Sequence, residues 1–189
     1  MNVPVSESIM LILSSPSGAG KTTITKKIQQ KYQNFKISVS HTTRTPRANE
    51  IDGVDYFFVT KDEFKNKIQN KEFYEHAKIF DNYYGTSIKS VNSLKKNNNI
   101  LFDIDWQGNQ QLSKYKNLNL LKIFLLPPNK IELKKRLVQR NQDKSEIVSK
   151  RLASYDIDIE HWCDYDYVII NDNLENCFKQ IEKIISKYK

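Results

Sequence analysis

The apolar positions of the chain fall into two alternating rhythms. Ile9-Met10-Leu11-Ile12-Leu13 is a short, wholly apolar run, as expected for a central strand buried on both faces. Ile100 to Ile104, Leu120 to Leu126 and Tyr167 to Ile170 predict further strands of the same kind. Between them the spacing becomes helical. Ile24 and Ile28 lie one turn apart, and Ile88, Val91 and Leu94 share a face. Val148, Leu152 and Tyr155 share another, as do Phe178, Ile181 and Ile185. Strands alternating with helices predict an α/β fold with a parallel sheet flanked by helices.

Two stretches depart from that rhythm. From Phe35 to about Phe80 the pattern is of short strands (Lys36 to Ser40, Tyr56 to Val59, Phe73 to Ile79) and one short helix. Thr60 with Glu63 three residues on is a capping box that starts this helix. The segment predicts a small inserted subdomain. Arg136 to Arg151 is polar and basic between two helical stretches and predicts a lid.

Composition narrows the field. A chain of 189 residues suits one domain with insertions and can bury a core without disulfides or metals. No apolar run approaches the ~20 residues that span a bilayer, so no membrane association is expected. Met1 to Ser8 carries no basic n-region, so no signal peptide is expected and the cytoplasm is the expected compartment. Cys163 and Cys177 form no CxxC pair and read as free thiols, and His41, His76 and His161 are too scattered for a metal centre. The net charge of +8 attracts polyanions, either nucleic acid or nucleotides rich in phosphate. The chain has no helix-turn-helix, zinc-finger or RNP signature, which turns the charge towards small phosphorylated ligands.

Three clusters carry chemistry. Ser15-Pro16-Ser17-Gly18-Ala19-Gly20-Lys21-Thr22 matches G-x-x-x-x-G-K-[ST] with Ser15 in place of the first glycine. It follows a predicted strand and opens a predicted helix. Gly18 and Gly20 let backbone N–H groups turn towards phosphates, Lys21 reaches the β- and γ-phosphates, and Thr22 offers a hydroxyl to Mg²⁺. Phe102-Asp103-Ile104-Asp105 ends an apolar strand, so alternation should send both carboxylates to one side, where one can orient Mg²⁺ waters. Ser38 to Arg47 sets Arg44 and Arg47 three apart among hydroxyl side chains, a fork for a second phosphate.

Together these residues resemble the guanylate kinase family, from about Ile9 to the C-terminus. The matching stretches are SVSHTTRTPR at 38–47, Gly53 to Phe58, Glu75-His76-Ala77, Asn82 to Thr86 and Asp103 to Gly108, then Leu125 to Pro128 and Ile170-Asn171-Asp172. The resemblance implies a P-loop NTPase-type core at about 1–34, 96–135 and 157–189, a nucleoside-monophosphate-binding subdomain at about 35–95, and a lid at about 136–156. It implies an ATP:GMP phosphotransferase using Mg²⁺, with dGMP a further acceptor. ATP would be held by Ser15, Pro16, Ser17, Gly18, Ala19, Gly20, Lys21, Thr22 and Thr23, with Asn171 beside the adenine. Ser40, Glu75 and Asp103 match guanine-reading positions, with Thr86 nearby, and Arg44, Arg47, Tyr56 and Tyr84 match the GMP phosphate site. Lys21, Arg44, Arg140 and Arg151 match the catalytic cations, Arg136 is a weaker match, and Thr22 and Asp105 match the metal positions. Asn141 stands after Arg140 where the family typically has glycine. A catalytically dead relative used as a peptide-binding module would be expected to lack Lys21, Arg44, Glu75, Asp105 or the lid arginines, and all are present.

Overall fold

The computed structural model describes residues 8–139 and 145–188. Nine strands and seven α-helices alternate among them in two sheets. The larger sheet contains β1 (Met10–Ser14), β2 (Phe35–Ile37), β7 (Asn99–Asp103), β8 (Leu120–Leu126) and β9 (Tyr167–Ile170), in the order β2-β7-β1-β8-β9. Every pairing in it is parallel. The smaller sheet contains β3 (His41–Thr42), β4 (Phe57–Phe58), β5 (Phe73–Ile79) and β6 (Asn82–Ser87), in the order β4-β3-β6-β5. Only β3 and β4 are parallel there.

The apolar run of β1 sits at the centre of the larger sheet, and its residues alternate between two cores. Leu11 and Leu13 pack with Ile24 and Ile28 of α1 (Lys21–Lys31) and Phe178, Ile181 and Ile185 of α7 (Leu174–Ile185). Met10 and Ile12 face the other way, onto Phe102, Val91 of α3 (Ile88–Lys95) and Leu112 of α4 (Trp106–Leu112). All of these residues but Phe178 are wholly inaccessible. Each such side chain contributes roughly 1.5–3 kcal/mol of burial. A third cluster joins α5 (Lys130–Gln139) to α6 (Ser145–Glu160) through Leu133, Leu137 and Val148, with Leu152 and Tyr155 packed alongside.

The smaller sheet is covered by α2 (Lys61–Gln69), and the predicted capping box is present, with Glu63 N–H donating to Thr60 Oγ1 and Thr60 N–H to Glu63 Oε2. Phe64 of α2 is fully buried and stacks on Phe73 at 4.7 Å and Tyr83 at 5.5 Å.

Some elements differ from the sequence expectation. The strand expected over Lys36 to Ser40 is β2, which ends at Ile37 and forms an edge of the larger sheet, so the insertion leaves the core only after it. Helix α3, inside the expected insertion, packs Val91 into the core. Strand β6 carries polar residues and Gly85, and α4 is only seven residues long; neither shows an apolar period of its own. Strand β7 stops at Asp103, and Asp105 leaves the strand to become the N-cap of α4. The two carboxylates therefore do not share the strand alternation expected of them. A side-chain oxygen next to unpaired helical N–H groups is better satisfied as a cap.

Candidate active site

The parallel sheet brings its C-terminal strand ends together, the usual place for a ligand in such folds. Leu13 lies in register with Asp103, so the loop leaving β1 and the end of β7 adjoin. That loop turns at Gly18 (φ 94°) and Gly20 (φ 101°), in the left-handed region that side chains disfavour. A Cβ at Gly20 would come within 2.3 Å of Asn171 Nδ2. The Asn171 amide instead donates to the Ala19 carbonyl at 2.7 Å, bracing the loop from the end of β9. Gly20 is the N-cap of α1, with no side chain capping it and no acid in the first turn. Those N–H groups and the positive end of the helix dipole suit an anion.

A cleft of about 690 Å³ opens from this loop towards the smaller sheet. It is lined by Ser15, Pro16, Ser17, Gly18, Gly20, Lys21, Thr22 and Thr23 on one side and by Ser40, Arg44, Arg47, Tyr56, Glu75 and Tyr84 on the other. Asp103, Asp105, Arg136 and Arg151 also line it. Ala19, Thr86 and Asn171 are buried in its supporting wall. Arg140 lies outside the described residues, as does Asn141.

The cations that line the cleft are engaged by nearby acceptors. Lys21 Nζ lies 2.9 Å from Asp103 Oδ1 and donates to the Ile104 carbonyl at 2.9 Å. Arg44 donates to Glu50 Oε1 at 2.8 Å, and the Arg47 backbone N–H donates to Glu50 Oε2 at 2.8 Å. Burial pulls the Glu50 carboxyl upwards, but its bonds to Arg44 and Arg47 outweigh that and hold it below the usual range. The Arg44 guanidinium lies 5.3 Å from the Tyr56 ring, and Tyr56 meets Tyr84 edge-on at 5.9 Å. Arg151 of α6 donates to the Ser17 hydroxyl, and Arg136 of α5 donates to the Asn171 carbonyl at 3.0 Å.

At the far end Glu75 is 3% exposed. Burial raises its carboxyl to about 7, with Asp105 adding to the rise, while bonds from the Thr86 hydroxyl and N–H and the charge of Lys21 offset part of it. Ser40 Oγ stands 3.3 Å from Thr86 Oγ1. Asp105 accepts from Gly108 N–H and from Gln107 Nε2, each at 3.0 Å.

Sequence reasoning missed three participants. Glu50, three residues after Arg47, pairs with the arginine fork. Asp158 also lines the cleft; burial and then Asp105 raise its carboxyl to about 6, against a hydrogen bond from Trp106. Its place seven residues after Arg151, on the same helical face, was a legible signal. Trp106 stacks on His161 at 3.7 Å.

Comparison with known proteins agrees with this geometry. The family model described as guanylate kinase matches residues 7–188. A guanylate kinase of Rickettsia bellii is 46% identical over 180 residues, covering 95% of this chain and 94% of that one. A guanylate kinase of Paramagnetospirillum magneticum is 44% identical, covering 94% of this chain and 84% of the relative. The crystal structure of guanylate kinase from Anaplasma phagocytophilum superposes with a TM-score of 0.79 at 34% identity, over 96% of this chain and 86% of that one. With a P-loop facing an arginine fork and a buried glutamate across one cleft, the chain belongs to the guanylate kinase family.

Proposed function

We propose that this chain transfers the γ-phosphoryl group of ATP to GMP, giving ADP and GDP, with dGMP a further acceptor. The observation that carries the reading is the single cleft lined by the P-loop at one end and by Arg44, Arg47 and Glu75 at the other. Phosphoryl transfer asks for in-line positioning and positive charge, with little covalent work by the protein. Lys21 would exchange Asp103 for the β- and γ-phosphates of ATP, while Gly18 and Gly20 present backbone N–H groups. Arg44 and Arg47 would exchange Glu50 for the GMP phosphate, with Tyr56 and Tyr84 closing beside it. That phosphate oxygen is already anionic near neutral pH, so no strong general base is needed. Arg151 already touches the P-loop and would screen charge on the moving group, a task that Arg136 and Arg140 are proposed to share.

Glu75 would read the base. Guanine offers an N1–H and a 2-amino group side by side, which one carboxylate accepts as a pair. Ser40, Thr86 and Asp103 would complete the polar end. Asn171 braces the P-loop in this structure and is proposed to stand beside the adenine.

Thr22 and Asp105 are the proposed Mg²⁺-facing residues. Both line the cleft, and among the described residues no three or more His, Cys, Asp or Glu are grouped so that they could hold a metal ion by themselves. One hydroxyl and one carboxylate fit an ion carried in by nucleotide phosphates that keeps several waters. When bound, the ion would neutralise charge on the β- and γ-phosphates. The cytoplasm is the proposed compartment: no helix of the described residues is long and apolar enough to cross a membrane, and Cys163 and Cys177 are free thiols.

A coupled ADP-release assay offering GMP, AMP, UMP, CMP and dTMP in turn tests the reading. GMP-dependent turnover is expected, and equal turnover of AMP and GMP would refute the assignment of the acceptor.

A further inference from the structure

The geometry points to Gly108 and Gln111 of α4 as positioning residues for Glu75, which together set where the base-side carboxylate stands. The inference rests on the reading of Glu75 as the guanine acceptor.

Strand β5, which carries Glu75, is an edge of its sheet. Along that edge α4 takes the place of a further strand. Gln111 Nε2 donates to the His76 carbonyl at 2.7 Å, and His76 N–H donates to Gln111 Oε1 at 3.1 Å. One side-chain amide thus pairs with the N–H and C=O of one residue as a neighbouring strand would, at the residue next to Glu75. Gly108 lies three residues earlier on the same helical face. A Cβ there would come within 2.6 Å of Glu75 Oε2, 3.1 Å of Glu75 Cδ and 3.1 Å of Ile104 Cδ1.

A close contact here matters through which side gives way. Glu75 is 3% exposed and its carboxylate is held by the Thr86 hydroxyl and N–H, so the direction left open to it is the cleft itself. Helix α4 is held against β5 by the Gln111–His76 pair, and its first turn is fixed internally by the Asp105 cap on Gly108 N–H. An added methyl must therefore displace the carboxylate. Gly108 has ordinary helical backbone, where alanine is the better helix former. A loss on Gly108→Ala would thus come from the contact and not from the helix.

The test is steady-state kinetics on Gly108→Ala with each substrate varied in turn. KM for GMP should rise about 10-fold to 10²-fold, the cost of an ångström of misplacement, while KM for ATP stays within about twofold. An unchanged KM for GMP, or a parallel rise for both substrates, overturns the inference. Glu75→Asp draws the carboxylate back by one methylene, so the methyl should cost less on that background than on the wild type. Equal costs on both backgrounds also overturn it. If Gly108→Ala does not fold, Gln111→Ala carries the test: it should raise KM for GMP alone, and no change refutes the assignment. Glu75→Ala separates the two readings. If it spares GMP use, the guanine reading falls. If it abolishes GMP use while Gly108→Ala and Gln111→Ala are silent, only the present inference falls.

Discussion

The P-loop end of the cleft comes from one continuous stretch, Ser15 to Thr23, whereas the end proposed to read the base draws Ser40, Glu75, Thr86 and Gly108 from four separate segments. The first is a backbone device: two glycines with positive φ and a helix start whose N–H groups have no side-chain cap. The second is a side-chain device, in which a buried carboxylate is held by neighbours on β6 and α4. Local geometry can be written into adjacent residues. A buried acceptor cannot, because burial needs covering from elsewhere in the chain. The Lys21–Asp103 pair joins the two ends, each partner waiting on a different proposed substrate.

Four experiments would break or sharpen that contrast. Lys21→Ala should have the largest effect, lowering kcat about 10²- to 10³-fold by removing one preorganised charge at the transferring group. GMP binding, followed by calorimetry, should persist. Near-normal kcat in the folded variant would refute the role of Lys21.

Glu75→Ala should come next, costing about 10²-fold in kcat/KM for GMP through two lost hydrogen bonds to a charged group. Its other signature is a narrowed preference for GMP over AMP, with KM for ATP little changed. Wild-type discrimination would mean that other residues read the base.

Arg151→Ala should lower kcat about 10-fold, since Arg136 and Arg140 are proposed to share its task. Loss of GMP affinity instead of kcat would move Arg151 to the acceptor side.

The smallest effect concerns pH. The Glu75 carboxyl is raised from 4.5 to about 7 by burial. The folded state then holds this proton more tightly than the unfolded chain, so Glu75 favours folding most below about pH 4.5, and that contribution fades as pH rises through 7. Substrate binding runs the opposite way, because guanine needs the ionised acceptor. KM for GMP should fall a few-fold between about pH 6 and pH 8 in the wild type. Glu75→Gln should lack that component, and comparing the two separates Glu75 from the GMP phosphate, which also titrates near pH 6. Identical pH profiles would show that Glu75 does not titrate in the free enzyme.

Much of the fold was legible because its signals are local. The apolar run at Ile9 to Leu13, the helical spacing of Ile24 with Ile28, and the Thr60–Glu63 capping box each became the element they predict. Strand β6 was hidden because Tyr83, Tyr84 and Gly85 give no alternation, and its partners β3 and β5 make it a strand. Helix α4 was hidden because it is short. It forms where Asp105 can cap it and Gln111 can pair with β5.

By its order of residues alone the chain determined the strand–glycine loop–helix of the P-loop, the apolar strands around it and the arginine fork, since these depend on neighbours within a few positions. Tertiary structure alone decided that Asp158 faces the cleft and that Glu75 is buried against Gly108, because each depends on which distant segment stands within a few ångströms. The Asp105 cap and the Glu50 bonds to the fork join residues no more than six positions apart, but they needed the path of the backbone to select them from other local pairings. The charge and proton affinity of a carboxylate are set by that surrounding space, which no short window of sequence encodes.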